Sequence, residues 1–247
     1  MLSGVDSELL GFCEPWLARE PRLLFACQFA AEGAGRARFL AAQVLARELA
    51  QTLLAISERR VAEARLMWWS DEASYWLQGH PRHPLALGLD AATAAPGLAQ
   101  WVQQVHAWME APPESQDELR ARLRALAATG DASPALADSG DDAVWLGLAA
   151  RQALVGAATG GALLPLDVCA RHSLRRSQWP ELDPARRRSL LAEVSTGMAP
   201  AREARGAAPA ALAALEQRWL ARIGDSGDER LRLFDVFAAW RAARRAR

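Results

Sequence analysis

A few carboxylate pairs and one pair of histidines are the side chains of this 247-residue chain whose types and spacing could do chemistry. Asp71-Glu72, Asp141-Asp142 and Asp225 with Asp228 offer oxygen ligands of the kind that hold Mg²⁺ against a diphosphate. Each pair also has a plainer explanation. Asp71-Glu72 follow two tryptophans on an amphipathic stretch and are expected to face solvent. Asp141-Asp142 and Asp225/Asp228 stand where helices begin, and the positive end of the helix dipole favours acids there. His80 and His83 in Gly-His-Pro-Arg-His-Pro are spaced as zinc ligands can be, but no second ligand pair lies near them in sequence. A polar turn between helices is the expectation. Cys13, Cys27 and Cys169 cannot all pair and form no CxxC, so reduced thiols are expected. No Walker A loop, GxSxG, GxGxxG or HExxH is present.

The elements that must position such residues are helical. Hydrophobic residues make up 51% of the chain, enough for one large domain with its own core. Lys plus Arg and Asp plus Glu are both 29, so the net charge is zero, and no overall basic bias points to a nucleic-acid partner. Every one of those basic residues is arginine. Strand alternation is almost absent, and apolar residues recur at three and four. The pattern predicts helices over Arg36–Ile56, from Ser57 as N-cap to about Gln78, over Pro84–Ala95 and Gly97–Met109, and over Glu114–Ala128. Further helices are predicted over Asp142–Thr159, Leu164–His172, Asp183–Thr196, Ala210–Ile223 and Asp228–Arg247. The fold class is therefore all-α, a single bundle of about ten helices spanning 1–247, with a surface loop at about 129–142 between two halves. No basic leader precedes an apolar run, and no stretch approaches the ~20 apolar residues of a membrane span. A cytoplasmic protein, peripheral to the inner membrane if it touches one, is the expectation.

Two aromatic-rich stretches bear on binding. Trp68, Trp69, Tyr75 and Trp76 cluster on one predicted helix; core packing is the preferred reading, and an apolar cavity for a prenyl chain or lipid the other. In the last helix Leu233, Phe234, Phe237 and Trp240 form a stripe followed by Arg241, Arg244, Arg245 and Arg247. Such a helix suits an anionic membrane surface. It suits equally a helix docked on the bundle, with a cationic last turn matched to its dipole, and docking is preferred.

Arg47-Glu48-Leu49, then Leu66-Met67-Trp68-Trp69, then Gly79-His80-Pro81-Arg82-His83-Pro84 resembles the first-half signature of the squalene/phytoene synthase family. Leu164-Pro165-Leu166-Asp167 followed by Ala170-Arg171-His172 resembles that family's segment after its second aspartate motif. The resemblance covers most of Leu23–Trp179 and implies an isoprenoid synthase-like bundle. In active members two aspartate-rich motifs on facing helices bind Mg²⁺ and two prenyl diphosphates, because hard cations require clustered oxygen ligands. Alignment on the shared residues places the first motif at Ala50, Gln51 and Leu54, and the second at Gln152, Val155 and Gly156. None of these is an acid. Arg151 keeps the family's residue, and Gly161 stands where an arginine is usual.

The chain resembles, more closely than it does the true synthases, a divergent branch that lacks the aspartates, whose mitochondrial member is an assembly factor of respiratory complex I. The resemblance thus implies a non-catalytic protein without a cofactor, binding a partner protein or an isoprenoid-like lipid, with Arg47, Glu48, Trp68, Trp69, Arg151 and Asp167 as candidate cavity or ligand-binding residues. Two alternatives stand beside it. One is an active head-to-head prenyltransferase holding Mg²⁺ through rearranged ligands such as Glu48 and Asp167. The other is a peripheral membrane adaptor acting through Leu233, Phe237, Trp240, Arg241 and Arg244.

Overall fold

A computed structural model describes residues 4–133, 135–136, 142–155, 160–196, 206–225 and 230–246. Eleven α-helices are described: α1 (Ser7–Arg19), α2 (Pro21–Ala26), α3 (Ala34–Leu54), α4 (Arg59–Leu77), α5 (Ala91–Glu110), α6 (Gln116–Ala132), α7 (Asp142–Val155), α8 (Leu166–Arg171), α9 (Pro184–Ser195), α10 (Ala207–Leu220) and α11 (Leu233–Arg245). Single 3₁₀ turns, such as Pro84–Leu87 and Gly160–Leu163, join several of them. No strand occurs among the described residues, and no helix there is long and apolar enough to cross a membrane. The all-α expectation holds. Asp141, Gly156, Asp228 and Arg247 lie outside the described residues.

Local chemistry sets the helix starts. Asp6 accepts the Glu8 and Leu9 amides at 2.8 and 3.3 Å, Ser115 accepts the Glu118 amide at 3.2 Å, and Asp183 accepts the Arg186 amide at 2.9 Å. Two expectations are corrected. Glu58, not Ser57, occupies the N-cap position of α4, and its side chain makes no capping bond. The break expected at Pro96 is absent, and α5 runs through it. The proline falls in the second turn of α5, where it removes one backbone hydrogen bond. Leu98, Trp101, Val102, Val105 and Trp108 bury one face of the same helix and outweigh that loss.

The core is centred on α3, which is buried on nearly every side from Arg36 to Leu54 and touches α1, α4, α5 and α7. The helix α7 lies between α3, α6, α9 and α10. The C-terminal helix α11 docks on α10, as preferred from the sequence, but through its small-residue face. Ala239 and Ala243 are buried, and the buried Asp235 accepts Arg218 Nε at 2.7 Å and Arg222 Nη1 and Nη2 at 2.6 and 2.7 Å. The aromatic stripe points away from the bundle.

Glu72 is a further correction, being fully buried rather than solvent-facing. Its Oε1 accepts Trp76 Nε1 and the amides of Arg82 and His83, each at 2.8 Å, and its Oε2 accepts Arg82 Nε at 3.0 Å. One carboxylate therefore fastens the Arg82-His83 part of the turn onto α4. Burial alone would raise its pKa, but these donors together hold it below the ordinary carboxylate value.

Candidate functional site

The candidate site lies along the seam between α3 and α7, the helices on which the expected metal positions fall. Ala50 and Leu54 are buried apolar side chains, Gln51 is half-buried, and Gln152 is buried. Val155 ends α7. Among the described residues no group of three or more His, Cys, Asp or Glu is placed to hold a metal ion.

Ion pairs fill the seam. Arg47 of α3 is completely buried. Its Nε and Nη2 donate to Glu20 Oε2 at 2.8 and 2.6 Å, and its Nη1 donates to the Gln43 carbonyl and Oε1, both at 2.9 Å. Glu20 sits at the joint of α1 and α2. Arg151 of α7 donates from Nη1 and Nη2 to Glu216 of α10 at 2.5 and 2.8 Å, a two-pronged pair. Arg151 Nη2 also lies 3.6 Å from Glu20 Oε2, so the two pairs form one network. The guanidiniums of Arg22 and Arg151 lie 5.3 and 5.0 Å from the Trp219 ring centre. Burial works against ionisation of Glu20, but the nearby Arg47 and Arg151 prevail and keep its pKa below the ordinary value.

Glycines complete this packing. A Cβ on Gly147, one turn before Arg151, would sit 2.4 Å from Glu216 Oε2, so the bare backbone makes room for that carboxylate. A Cβ on Gly161 would lie 2.3 Å from the Arg176 carbonyl oxygen. No side chain fits there.

The remaining sequence candidates fall elsewhere. Glu48 faces away from Arg47, accepting Trp16 Nε1 at 3.1 Å and pairing with Arg65, so it ties α1 and α4 to α3. Asp167 is half-exposed at the start of α8, accepting the Val168 amide at 2.7 Å and facing Arg171 at 3.5 Å. Glu48 and Asp167 share no partner among the described residues. Trp69 is buried, Trp68 is half-exposed, and their rings lie 4.9 and 5.6 Å from His83, which also meets Phe12 edge-on. Burial of this imidazole, reinforced by Arg65, pushes its pKa down to about 4. The structure thus joins Arg47 and Arg151, and separates both from Trp68, Trp69 and Asp167.

Glu20, Glu216 and Trp219 were not singled out from the sequence. The available signal was isolation: Glu216 is the one acid of the apolar run Ala207–Leu220, and Arg151 the one base of Asp142–Val155. A charge in the buried stretch of a helix requires a buried counter-charge.

A cavity of about 310 Å³ opens at the C-terminal end of α3, lined by Thr52, Leu53, Ile56, Trp108, Met109 and others. Arg59 and Arg176 also line it, but Arg59 pairs with Glu63 and Glu110, and Arg176 donates to the Leu164 and Pro113 carbonyls. Set against known proteins, the chain matches no family model, no curated protein and no solved structure.

Proposed function

We propose that this protein is a non-catalytic helical scaffold of squalene/phytoene synthase type, which binds a partner protein in place of metal-bound prenyl diphosphates. The observation that carries the proposal is the Glu20–Arg47–Arg151–Glu216 network. Where diphosphate chemistry needs clustered carboxylates open to Mg²⁺, this seam holds two arginines already neutralised by the chain's own acids. The closed Gly161 position and the apolar Ala50 and Leu54 support the same reading. Purified protein incubated with Mg²⁺ and farnesyl or geranylgeranyl diphosphate is expected to give no product above a protein-free control. Calorimetry is expected to detect no Mg²⁺-dependent diphosphate binding. Turnover in the first assay would establish the prenyltransferase alternative instead.

The cavity at the end of α3 supports a second reading, in which the scaffold holds an isoprenoid-like lipid. Its volume of about 310 Å³ lies at the lower end for ligand pockets. Saturable binding of farnesol, lost in Leu53→Trp, is the expected signature. Binding unchanged by that substitution removes this reading.

A further inference from the structure

We infer that α11 is a membrane-surface anchor, and that its outward face lies on a bilayer carrying anionic headgroups. The inference stands apart from the scaffold reading, since it uses neither the seam nor the cavity.

Leu233, Phe234, Phe237 and Trp240 are 81, 76, 56 and 42% exposed, so four large apolar side chains of one helix face solvent together. At about 100° per residue they fall within roughly 120° of arc, and Arg241, Arg244 and Arg245 fall on or beside the same arc. These arginines are exposed and pair with no carboxylate among the described residues. The one acid of the helix, Asp235, is buried on the opposite side beneath Arg218 and Arg222. Every charge that α11 presents outward is therefore positive.

The arrangement along the helix fits a lipid interface. Arg241 lies 5.6 Å from the Phe237 ring centre and Arg244 4.9 Å from that of Trp240, so cations and ring faces are held at one level. An interfacial helix needs this: aliphatic and aromatic groups at the acyl boundary, with arginines among the phosphates. The helix has 13 residues, about 20 Å, which suits lying in the interface plane and is too short to span it. Docking through Asp235, Ala239 and Ala243 leaves the outward face free while fixing its orientation on α10.

The test is co-sedimentation of the full chain with vesicles of phosphatidylcholine alone and of phosphatidylcholine mixed with phosphatidylglycerol. The wild type is expected to pellet with the mixed vesicles, much less with the neutral ones, and less as salt rises. Replacing Arg241, Arg244 and Arg245 together by Gln is expected to weaken partitioning on the order of a hundredfold, about fivefold per arginine. Replacing all three by Lys should keep it within about threefold. Phe237→Ser with Trp240→Ser should weaken it roughly tenfold or more. All these positions are exposed, and circular dichroism of each variant confirms the fold. Wild type that fails to pellet with anionic vesicles overturns the inference, as does partitioning insensitive to Phe237→Ser with Trp240→Ser. A dimer that dissociates in that double variant without lipid also overturns it, because a second copy would then cover the stripe.

Discussion

The α3–α7 seam and the outer face of α11 use the same two residue types in opposite ways. In the seam, Arg22 and Arg151 lie over Trp219, and Arg151 is bonded two-pronged to Glu216. On α11, Arg241 and Arg244 lie over Phe237 and Trp240, and no carboxylate approaches either among the described residues. An arginine beside an aromatic ring is therefore not a function in itself. Buried, the guanidinium must be matched by an acid, and the pair becomes part of the architecture. Exposed, it needs no match, and its charge remains available to something outside the chain.

The comparison can be broken most forcefully in the interior. Arg47→Met removes both short hydrogen bonds to the buried Glu20 and leaves it the more distant Arg151, at 3.6 Å, and Arg22. It should cost about 3–5 kcal/mol in urea-monitored unfolding. Adding Glu20→Gln should recover part of that loss, which a merely volumetric effect of the methionine would not allow. Gly147→Ala comes next. Alanine favours a helix by about 1 kcal/mol over glycine, but here its Cβ meets Glu216 at 2.4 Å. A net loss of about 1–3 kcal/mol is expected, a fall in Tm of several degrees, and a gain in Tm would show the seam to be loosely packed.

Acid sharpens the contrast. His83 has a folded pKa of about 4 against 6.5 when free, so the unfolded chain takes up its proton first. Stability should fall as pH drops from about 6.5 to 4, by roughly 1–2 kcal/mol once partial exposure is allowed for. His83→Gln should flatten that slope. Glu20 and Asp235 are held low by their arginines, with burial of each opposing that effect. Their contribution is complete above the ordinary carboxylate values and is lost as pH falls below them, so a second, steeper loss follows under pH 4. The smallest effect is expected from Phe237→Ser or Arg244→Gln, which should change unfolding free energy by less than about 0.5 kcal/mol.

Much of the fold was legible because amphipathic periodicity is a property of each helix alone. Phe39, Leu45, Leu49 and Leu53 announce α3 without reference to any other element. Boundaries were less legible where tertiary packing overrides a local signal, as at Pro96, or where a cap residue is bypassed, as at Ser57. The absence of acids at Ala50, Gln51, Leu54 and Gln152 was plain from the letters. What replaces them was not, since Glu20 and Glu216 reach Arg47 and Arg151 across 27 and 65 residues of chain. Glu72 misled for the same reason. An acid beside Asp71 on a polar-looking helix face reads as exposed until the turn that folds over it is placed. On α11 the sequence supplied the stripe but not its direction, which the small Ala239–Ala243 face and Asp235 decide.

The Glu72 clasp carries a consequence for solvent exchange. Residues 79–83 belong to no helix, and backbone amides in such turns ordinarily trade their protons with water quickly. The amides of Arg82 and His83 instead end on one buried carboxylate, each at 2.8 Å. They can exchange only when the turn lifts from the Glu72 carboxylate, which Trp76 of the same helix holds in place. Protection of these two amides would thus report how often the turn lifts from α4, as a built-in gauge of how this side of the bundle breathes.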